Sequence, residues 1–457
     1  MSSPHDTILT AAADDAAAAP ADPESAAPPA GGGAFSVLDD LEWRGLVSLS
    51  TDRDTLAQAL ADGPITVYCG FDPTAPSLHF GNLVQLVLLR RLQRAGHRVL
   101  CLVGGSTGLI GDPRPQSERA LKSKEQTADW VGKIKEQVRP FLDFDGDNPA
   151  RLVDNLDWTA PMSALDFLRD IGKHFRVGTM IKKEIVATRL AGDEGISYAE
   201  FSYQILQALD FLHLYRTYGC TLQTGGQDQW GNLTAGVELI RKAEGASVHL
   251  LATPLLTDSN GVKFGKSEGN AVWLSAELTS PYAFYQYWRN IEDASVIGLI
   301  KVFTDRSRGE IAELEADLAE RPHLRRAQQV LARDVTALVH GERAADAAIA
   351  AAGALFGRAE LADVDEATLG AALAEAGLVD VPAPAPDVAH LMQASGLASS
   401  LGEARRTVAE GGAYLNNVRV ADAEYAPSGD DLLFGRYLVL RRGRRTVAGV
   451  RVEASGR

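Results

Sequence analysis

The apolar positions change period several times along the chain, and each change marks an element. Ile65 to Tyr68 is a short β-branched and aromatic run, followed by a loop of Gly, Pro, Asp and Ser. Beyond the loop, Leu83, Leu86, Val87, Leu89 and Leu92 recur at helical spacing. Gly96 can end that helix, and Val99 to Val103 is strand-like again before Gly104 and Gly105, so residues 65–104 read as one β-α-β unit. A second strand-turn-helix signal spans Thr221 to Ile240, with Gly225 and Gly226 at the turn. Alternation of this kind predicts a largely parallel sheet covered on both faces. Between the two units, Ser197 and Glu200 form a predicted capping box opening a helix through Tyr203, Gln207 and Asp210.

From about Pro281 to Phe356 the chain is rich in Ala, Leu, Glu and Arg with no strand signal, which predicts a helical domain. Pro382, Pro384 and Pro386 then alternate, favouring a stiff, extended linker over a packed element. After it come two short predicted helices, Val388–Met392 and Leu401–Ala409, and strand-like runs Ala413–Val420 and Tyr437–Leu440. Residues 1–35 are mostly Ala, Pro, Asp, Ser and Gly, too poor in large apolar groups to offset chain entropy, and are expected to be disordered.

Composition narrows the function. No apolar run approaches the roughly 18 residues a membrane span requires, and the acid-interrupted start does not read as a secretory signal, so cytoplasmic residence is expected. Cys69, Cys101 and Cys220 form no C-x-x-C pair, which argues against a cysteine metal site. The net charge of -15 argues against a general nucleic-acid-binding surface. The charge is segregated, however. Residues 387–457 carry ten Arg and no Lys against eight acids, a balance of +2 where the rest of the chain carries -17.

Three constellations carry chemistry. Cys69 to Asn82 leaves a strand and enters a helix, where backbone N–H groups and the helix dipole can hold phosphate oxygens. Within it Thr74 and His79 can donate to phosphate, and Gly81 would allow a flat base or ribose to approach. Lys263-Phe264-Gly265-Lys266-Ser267 follows a turn-rich segment and offers two ammonium groups to a departing pyrophosphate. Tyr203, Gln207 and Asp210 fall at i, i+4 and i+7, so three polar groups share one helix face among apolar neighbours. Such a stripe is either a buried polar network or a ligand site; the ligand reading is favoured because each group otherwise needs a partner in the core.

The order Y-C-G-F-D-P-T-A-P-S-L-H-F-G-N from Tyr68, L-V-G-G-S-T-G-L-I-G-D-P from Leu102, F-S-Y-Q-I-L-Q-A-L-D from Phe201, G-G-Q-D-Q-W-G-N from Gly225 and K-F-G-K-S from Lys263 resembles the bacterial tyrosyl-tRNA synthetases of the class I family. Two of these stretches resemble that class's HIGH and KMSKS signatures. The resemblance implies an α/β fold: a Rossmann-like parallel-sheet catalytic domain with a dimerisation insert (36–255), the lysine loop and a helical domain (256–356), a linker (357–386), and a small α+β RNA-binding domain (387–457). It implies that Tyr68 and Asp210 hold the tyrosine hydroxyl, that Asp112, Tyr203 and Gln207 surround the ammonium, and that Gln229 assists the carboxylate. Cys69, Gly70, Asp72, Gly81, Asn82, Gly226, Asp228 and Lys266 would face the nucleotide, with Thr74 and His79 at the phosphates. Lys263, Lys266, Ser267 and Arg119 would gather around pyrophosphate. The substrates would be ATP, L-tyrosine and tRNA(Tyr), with Mg²⁺ carried on the ATP phosphates and no separate metal site. A homodimer is implied, with its interface between about Trp130 and Leu190.

Two positions depart from the family pattern. Asn82 stands where the signature often has a second His, and no lysine precedes Ser117-Glu118-Arg119, leaving Arg114 or Lys122 to substitute. A site built around a hydroxyl leaves its own polar groups unpaired with phenylalanine, an argument for which enzymes of this family are the standard example. The C-terminal stretch around Gly396–Arg406 and Gly411–Asn417 resembles the RNA-binding module first seen in ribosomal small-subunit protein four. Arg405, Arg406, Arg419, Arg441, Arg442, Arg444 and Arg445 are its candidate phosphate contacts. Competing expectations are a tryptophanyl-type synthetase, a nucleotidylyltransferase of similar topology, and a non-catalytic RNA-binding descendant.

Overall fold

The computed structural model describes residues 36–114, 121–193, 195–257, 264, 271–443 and 446–453. The expectation of disorder over 1–35 lies outside them.

The first sheet has six strands: β1 (Leu49–Ser50), β2 (Thr66–Phe71), β3 (Arg98–Val103), β4 (Arg151–Asp154), β5 (Cys220–Gly226) and β6 (His249–Thr253). Their order is β1-β6-β5-β2-β3-β4; β2 to β6 pair in parallel and β1 joins β6 as an antiparallel edge. The connections reverse direction between β2 and β5. In an open parallel sheet, that switch point is where the carboxyl ends of the strands leave a crevice for a ligand. β2 runs through Phe71, beyond the predicted end at Tyr68, because Cys69 and Phe71 are buried against the helix Phe80–Arg94. That helix ends as expected, with Gly96 left-handed just beyond it.

The helix Tyr198–Tyr218 packs beside Trp230–Glu244 against β5, on the face of the sheet opposite the helix Phe80–Arg94. Ser197 caps it by accepting from the Glu200 N–H, but the reciprocal half of the expected box is absent. Glu200 instead forms a buried ion pair with Arg189 at 3.0 Å, since a guanidinium out of water needs a charged partner more than the N-cap amide does. Arg189 also donates to the carbonyls of Arg114 and Gly195, tying the insert to the loop that carries Asp112.

The helical domain forms as predicted, from Pro281–Arg289, Asp293–Phe303, Arg308–Glu320, Arg326–His340 and Glu342–Leu355. Phe80 crosses into it, with ring centroids 5.1 Å from both Trp288 and Phe303. Burying such a ring contributes about 2–3 kcal/mol, so the first turn of the signature helix is anchored to both domains.

The second sheet comprises β7 (Leu378–Pro382), β8 (Ala413–Leu415), β9 (Val418–Arg419), β10 (Tyr437–Arg442) and β11 (Thr446–Glu453), in the order β7-β11-β10-β8-β9. Two expectations are corrected here. The segment 357–386 contains a helix, Glu366–Glu375, and then β7, which pairs in parallel with β11 over Gly449↔Leu378 to Glu453↔Pro382. The one proline of β7, Pro382, is tolerated because it is the last residue of an edge strand. The run Ala413–Val420 is a hairpin turned at Asn416-Asn417, both left-handed. The helices Val388–Ala394 and Leu401–Ala409 cover this sheet, and no helix of the described residues is long and apolar enough to cross a membrane.

Candidate active site

A cavity of about 370 Å³ opens at the β2/β5 switch point. The signature loop, the loop after β3, the turn that follows β5 and the helix Tyr198–Tyr218 bring to it Tyr68, Cys69, Gly70, Asp72, Thr74, His79, Gly81, Asn82, Asp112, Tyr203, Gln207, Asp210, Gly226, Asp228 and Gln229. These are all the tyrosine-side and nucleotide-side candidates that lie among the described residues. Arg119, Lys263, Lys266 and Ser267 lie outside them, although Leu256, Phe264 and Ala271 around the lysine loop also line the cavity.

The signature helix is capped by its own motif. His79 Nδ1 accepts from the Gly81 N–H at 2.9 Å, and Asn82 Oδ1 accepts from the His79 N–H at 3.1 Å. In the neutral ring this leaves the proton on Nε2, the donor a phosphate would meet. The glycine at 81 has a local reason: a Cβ there would stand 2.8 Å from His79 Cε1. Asn82 supplies the reciprocal cap through an oxygen acceptor, which a second histidine would have to provide differently.

On the amino-acid side, Tyr203 Oη donates to Asp72 Oδ2 at 2.6 Å, and Thr107 Oγ1 donates to Asp72 Oδ1 at 2.6 Å. Asp72, expected among the nucleotide contacts, is thereby joined to the residues expected around the ammonium. Gly104 makes room for it, since a Cβ there would stand 2.1 Å from Asp72 Oδ1. Asp112 accepts from Gln229 Nε2 at 3.2 Å and from Asn232 Nδ2 at 3.0 Å.

Asp210 is buried and accepts from Trp158 Nε1 at 2.9 Å and Asn155 Nδ2 at 3.0 Å. Burial pushes its carboxyl up to about 8, outweighing these two donors, which favour the charged form. The ring of Tyr68 lies 5.3 Å from Phe211, and burial followed by the nearby Asp210 holds its phenol well above the ordinary value. Tyr68 Oη, Gln207 Oε1 and Gln223 Oε1 are buried with no protein partner among the described residues. Buried polar atoms are rarely left so, and three lining one cavity fit a polar ligand that completes them. The Cys69 thiol is raised to about 12 by burial, so it enters the site as a neutral group.

Sequence reasoning missed Thr107, Asn155, Trp158 and Asn232. Asn155 and Trp158 follow the carboxyl end of β4, the position from which a parallel strand delivers functional side chains, and that was the available signal. Of the two candidates for the missing lysine, Lys122 donates to the Pro73 carbonyl at 2.8 Å and lies 4.3 Å over Trp130, beside the loop carrying Thr74. Arg114 is exposed.

The C-terminal arginines divide. Arg405 and Arg406 are exposed on one helix, and Arg419 is exposed on the hairpin. Arg442 donates to the Leu397 carbonyl and pairs with Glu403 at 2.8 Å. Arg441 is 9% exposed and stacks 4.6 Å over Tyr414, so it is not placed to meet a phosphate. Arg444 and Arg445 lie outside the described residues.

Comparison with known proteins places this geometry. The family model for tRNA synthetases class I (W and Y) matches residues 60–357, and that for the tyrosine--tRNA ligase SYY-like C-terminal domain matches 372–448. A tyrosine--tRNA ligase of Leifsonia xyli is 62% identical over 92% of this chain and 94% of its own length. That of Streptomyces coelicolor is 58% identical over 92% and 99%. Among solved structures, a C-terminally truncated mitochondrial tyrosyl-tRNA synthetase of Coccidioides posadasii superposes with a TM-score of 0.62 at 32% identity, covering 69% of this chain and 92% of that one.

Proposed function

Because the chain belongs to the class I tRNA synthetases of the tryptophan and tyrosine group, we propose that it is a tyrosine--tRNA ligase: it activates L-tyrosine with ATP and transfers it to tRNA(Tyr). The observation that carries the choice of amino acid is that two buried polar groups, the partnerless Tyr68 Oη and the Asp210 carboxyl, line one cavity beside Leu102. A phenol fits a place offering both a donor and an acceptor, and a phenyl ring would leave both unpaired.

In the first step a tyrosine carboxylate oxygen attacks the α-phosphorus of ATP, the bond to the β-phosphate oxygen breaks, and pyrophosphate leaves. The step relies on positioning and electrostatics rather than on a covalent enzyme intermediate. Tyr203 with Asp72, and Asp112 with Gln229, hold the amino-acid end. His79 Nε2–H and Thr74 donate to phosphate, and Lys263, Lys266, Ser267 and Arg119 gather around pyrophosphate. Mg²⁺ would be carried by the ATP phosphates, where it would offset their charge, rather than by a separate set of protein ligands. A terminal tRNA hydroxyl then attacks the carbonyl carbon and AMP departs. Arg405, Arg406 and Arg419 hold tRNA by its phosphates.

The working unit is a cytoplasmic homodimer. Leu165, Leu168, Val177 and Ile181, all exposed in the insert, supply the apolar face of its interface.

Exchange of labelled pyrophosphate into ATP with tyrosine, tryptophan or phenylalanine tests the reading. Exchange with tyrosine alone is expected. Exchange with tryptophan alone, or with none, would overturn it.

A further inference from the structure

The last carbonyls of an α-helix have no donor within the helix, and Glu342–Leu355 has no basic residue in its last turn to meet them. The turn beyond it supplies some: the Gly353 carbonyl accepts from the Phe356 N–H at 3.2 Å and the Arg358 N–H at 3.0 Å, and the Ala354 carbonyl accepts from the Gly357 N–H at 3.0 Å. The second lone pair of the Ala354 carbonyl takes a donor from the C-terminal module. Asn417 Nδ2 donates to the Ala354 carbonyl at 2.7 Å, across 63 residues of chain. Beside it lies the buried Arg441 guanidinium, whose Nη1 would be 2.7 Å from a Cβ on Gly357, just past the helix end. A cation at that end is favoured by the helix dipole.

The turn itself does not require this amide. Asn416 and Asn417 have φ of 46° and 65° and connect the pair Leu415↔Val418, a two-residue hairpin in which glycine at the second position would serve at least as well. The two asparagines differ in use. Asn416 serves its own module, accepting from the Val439 N–H at 2.9 Å and donating to the Asp431 carbonyl at 2.6 Å. Asn417 turns outward to the helical domain.

We propose that Asn417 is a positioning residue that locks the RNA-binding module onto the helical domain by adding, across the seam, a second hydrogen bond to the Ala354 carbonyl at the end of Glu342–Leu355. The proposal rests on the tRNA reading above, because it assigns the lock a purpose: a docked module presents Arg405 and Arg406 at a set place relative to the catalytic cavity. A swinging module would lower the effective concentration of one contact once the other has formed.

The test uses the full chain with Asn417→Gly, Asn417→Ala and Asn417→Asp. If the side chain served only the turn, glycine would equal the native residue and alanine, strained at positive φ, would be worse. For the lock, glycine and alanine both lose function, and aspartate loses most because its carboxylate faces a carbonyl and the negative helix end. Tyrosine-dependent pyrophosphate exchange is expected to stay within about twofold. The kcat/KM for tRNA charging should fall about three- to tenfold in Asn417→Gly, mainly through KM, and further in Asn417→Asp. Amides of residues 350–365 should exchange hydrogen faster in all three. Native charging and native protection in Asn417→Gly would overturn the proposal. Faster amide exchange in Asn417→Gly, in a chain whose native form lacks tyrosine-dependent activity, would uphold the lock and overturn the activity.

Discussion

Asp210, proposed above to meet the tyrosine hydroxyl, also carries a stability signature. Its carboxyl titrates near 3.8 in the unfolded chain and about 8 when buried. The folded state therefore binds more protons between those values. The group's contribution to stability is fully present below about pH 4 and is lost as pH rises toward 8, at up to about 1.4 kcal/mol per pH unit. An asparagine side chain cannot ionise, so Asp210→Asn should gain stability relative to the native chain between pH 5 and pH 8 in thermal unfolding. Parallel curves would show that the carboxyl is not buried as described. The same substitution should reduce discrimination between tyrosine and phenylalanine by about tenfold or more in pyrophosphate exchange, since an amide meets the phenol differently while Trp158 and Asn155 keep donors aimed at it.

At the scale of the element, the signature helix is capped by the same ring that is proposed above to meet phosphate. His79 accepts from the Gly81 N–H and so fixes where its other nitrogen points, and the absence of a Cβ at Gly81 is what lets the ring lie there. Gly81→Ala should push the imidazole off the helix end. Pyrophosphate exchange is expected to fall about a hundredfold, the scale of a misplacement near one ångström, while Phe80 keeps the helix anchored and the circular dichroism spectrum is unchanged. An active Gly81→Ala enzyme would separate the cap from catalysis. The sequence revealed this helix and its histidine but not the reason for the glycine, because the neighbouring imidazole is what excludes a Cβ.

At the scale of the molecule, the second sheet is held to the helical domain through the helix Glu366–Glu375, by more than a tether. Leu373 approaches so closely that a Cβ on Gly449 would stand 2.7 Å from it, and Arg436 pairs with Glu366 at 2.5 Å. A truncation at Pro386 would strand β7 without its partner β11. One after Gly377 removes the whole sheet and should retain tyrosine-dependent exchange while abolishing tRNA charging; equal loss of both would make the module part of the catalytic fold. The exposed apolar face of the insert gives a separate expectation. Leu165→Asp combined with Val177→Asp should convert a dimer to a monomer in light scattering, and an unchanged mass would place the interface elsewhere.

The alternation of periods, the signature loop and the polar face of Tyr203, Gln207 and Asp210 were legible in the chain alone. Each depends on short-range geometry: strand and helix periods, turn residues, and i, i+4, i+7 spacing within one helix. The carriers of the rest come from distant segments. Asn155 and Trp158 reach Asp210 from the end of β4, Asp72 joins Tyr203 across 131 residues, and Glu200 abandons its cap for Arg189. Arg441 reads as a phosphate contact in a basic run and proves to be stacked on Tyr414 at the domain seam. The proline-rich segment reads as a linker, and its start through Pro382 proves to be part of an edge strand. In each case burial and partner choice decided the outcome, and both depend on which surfaces the fold brings together.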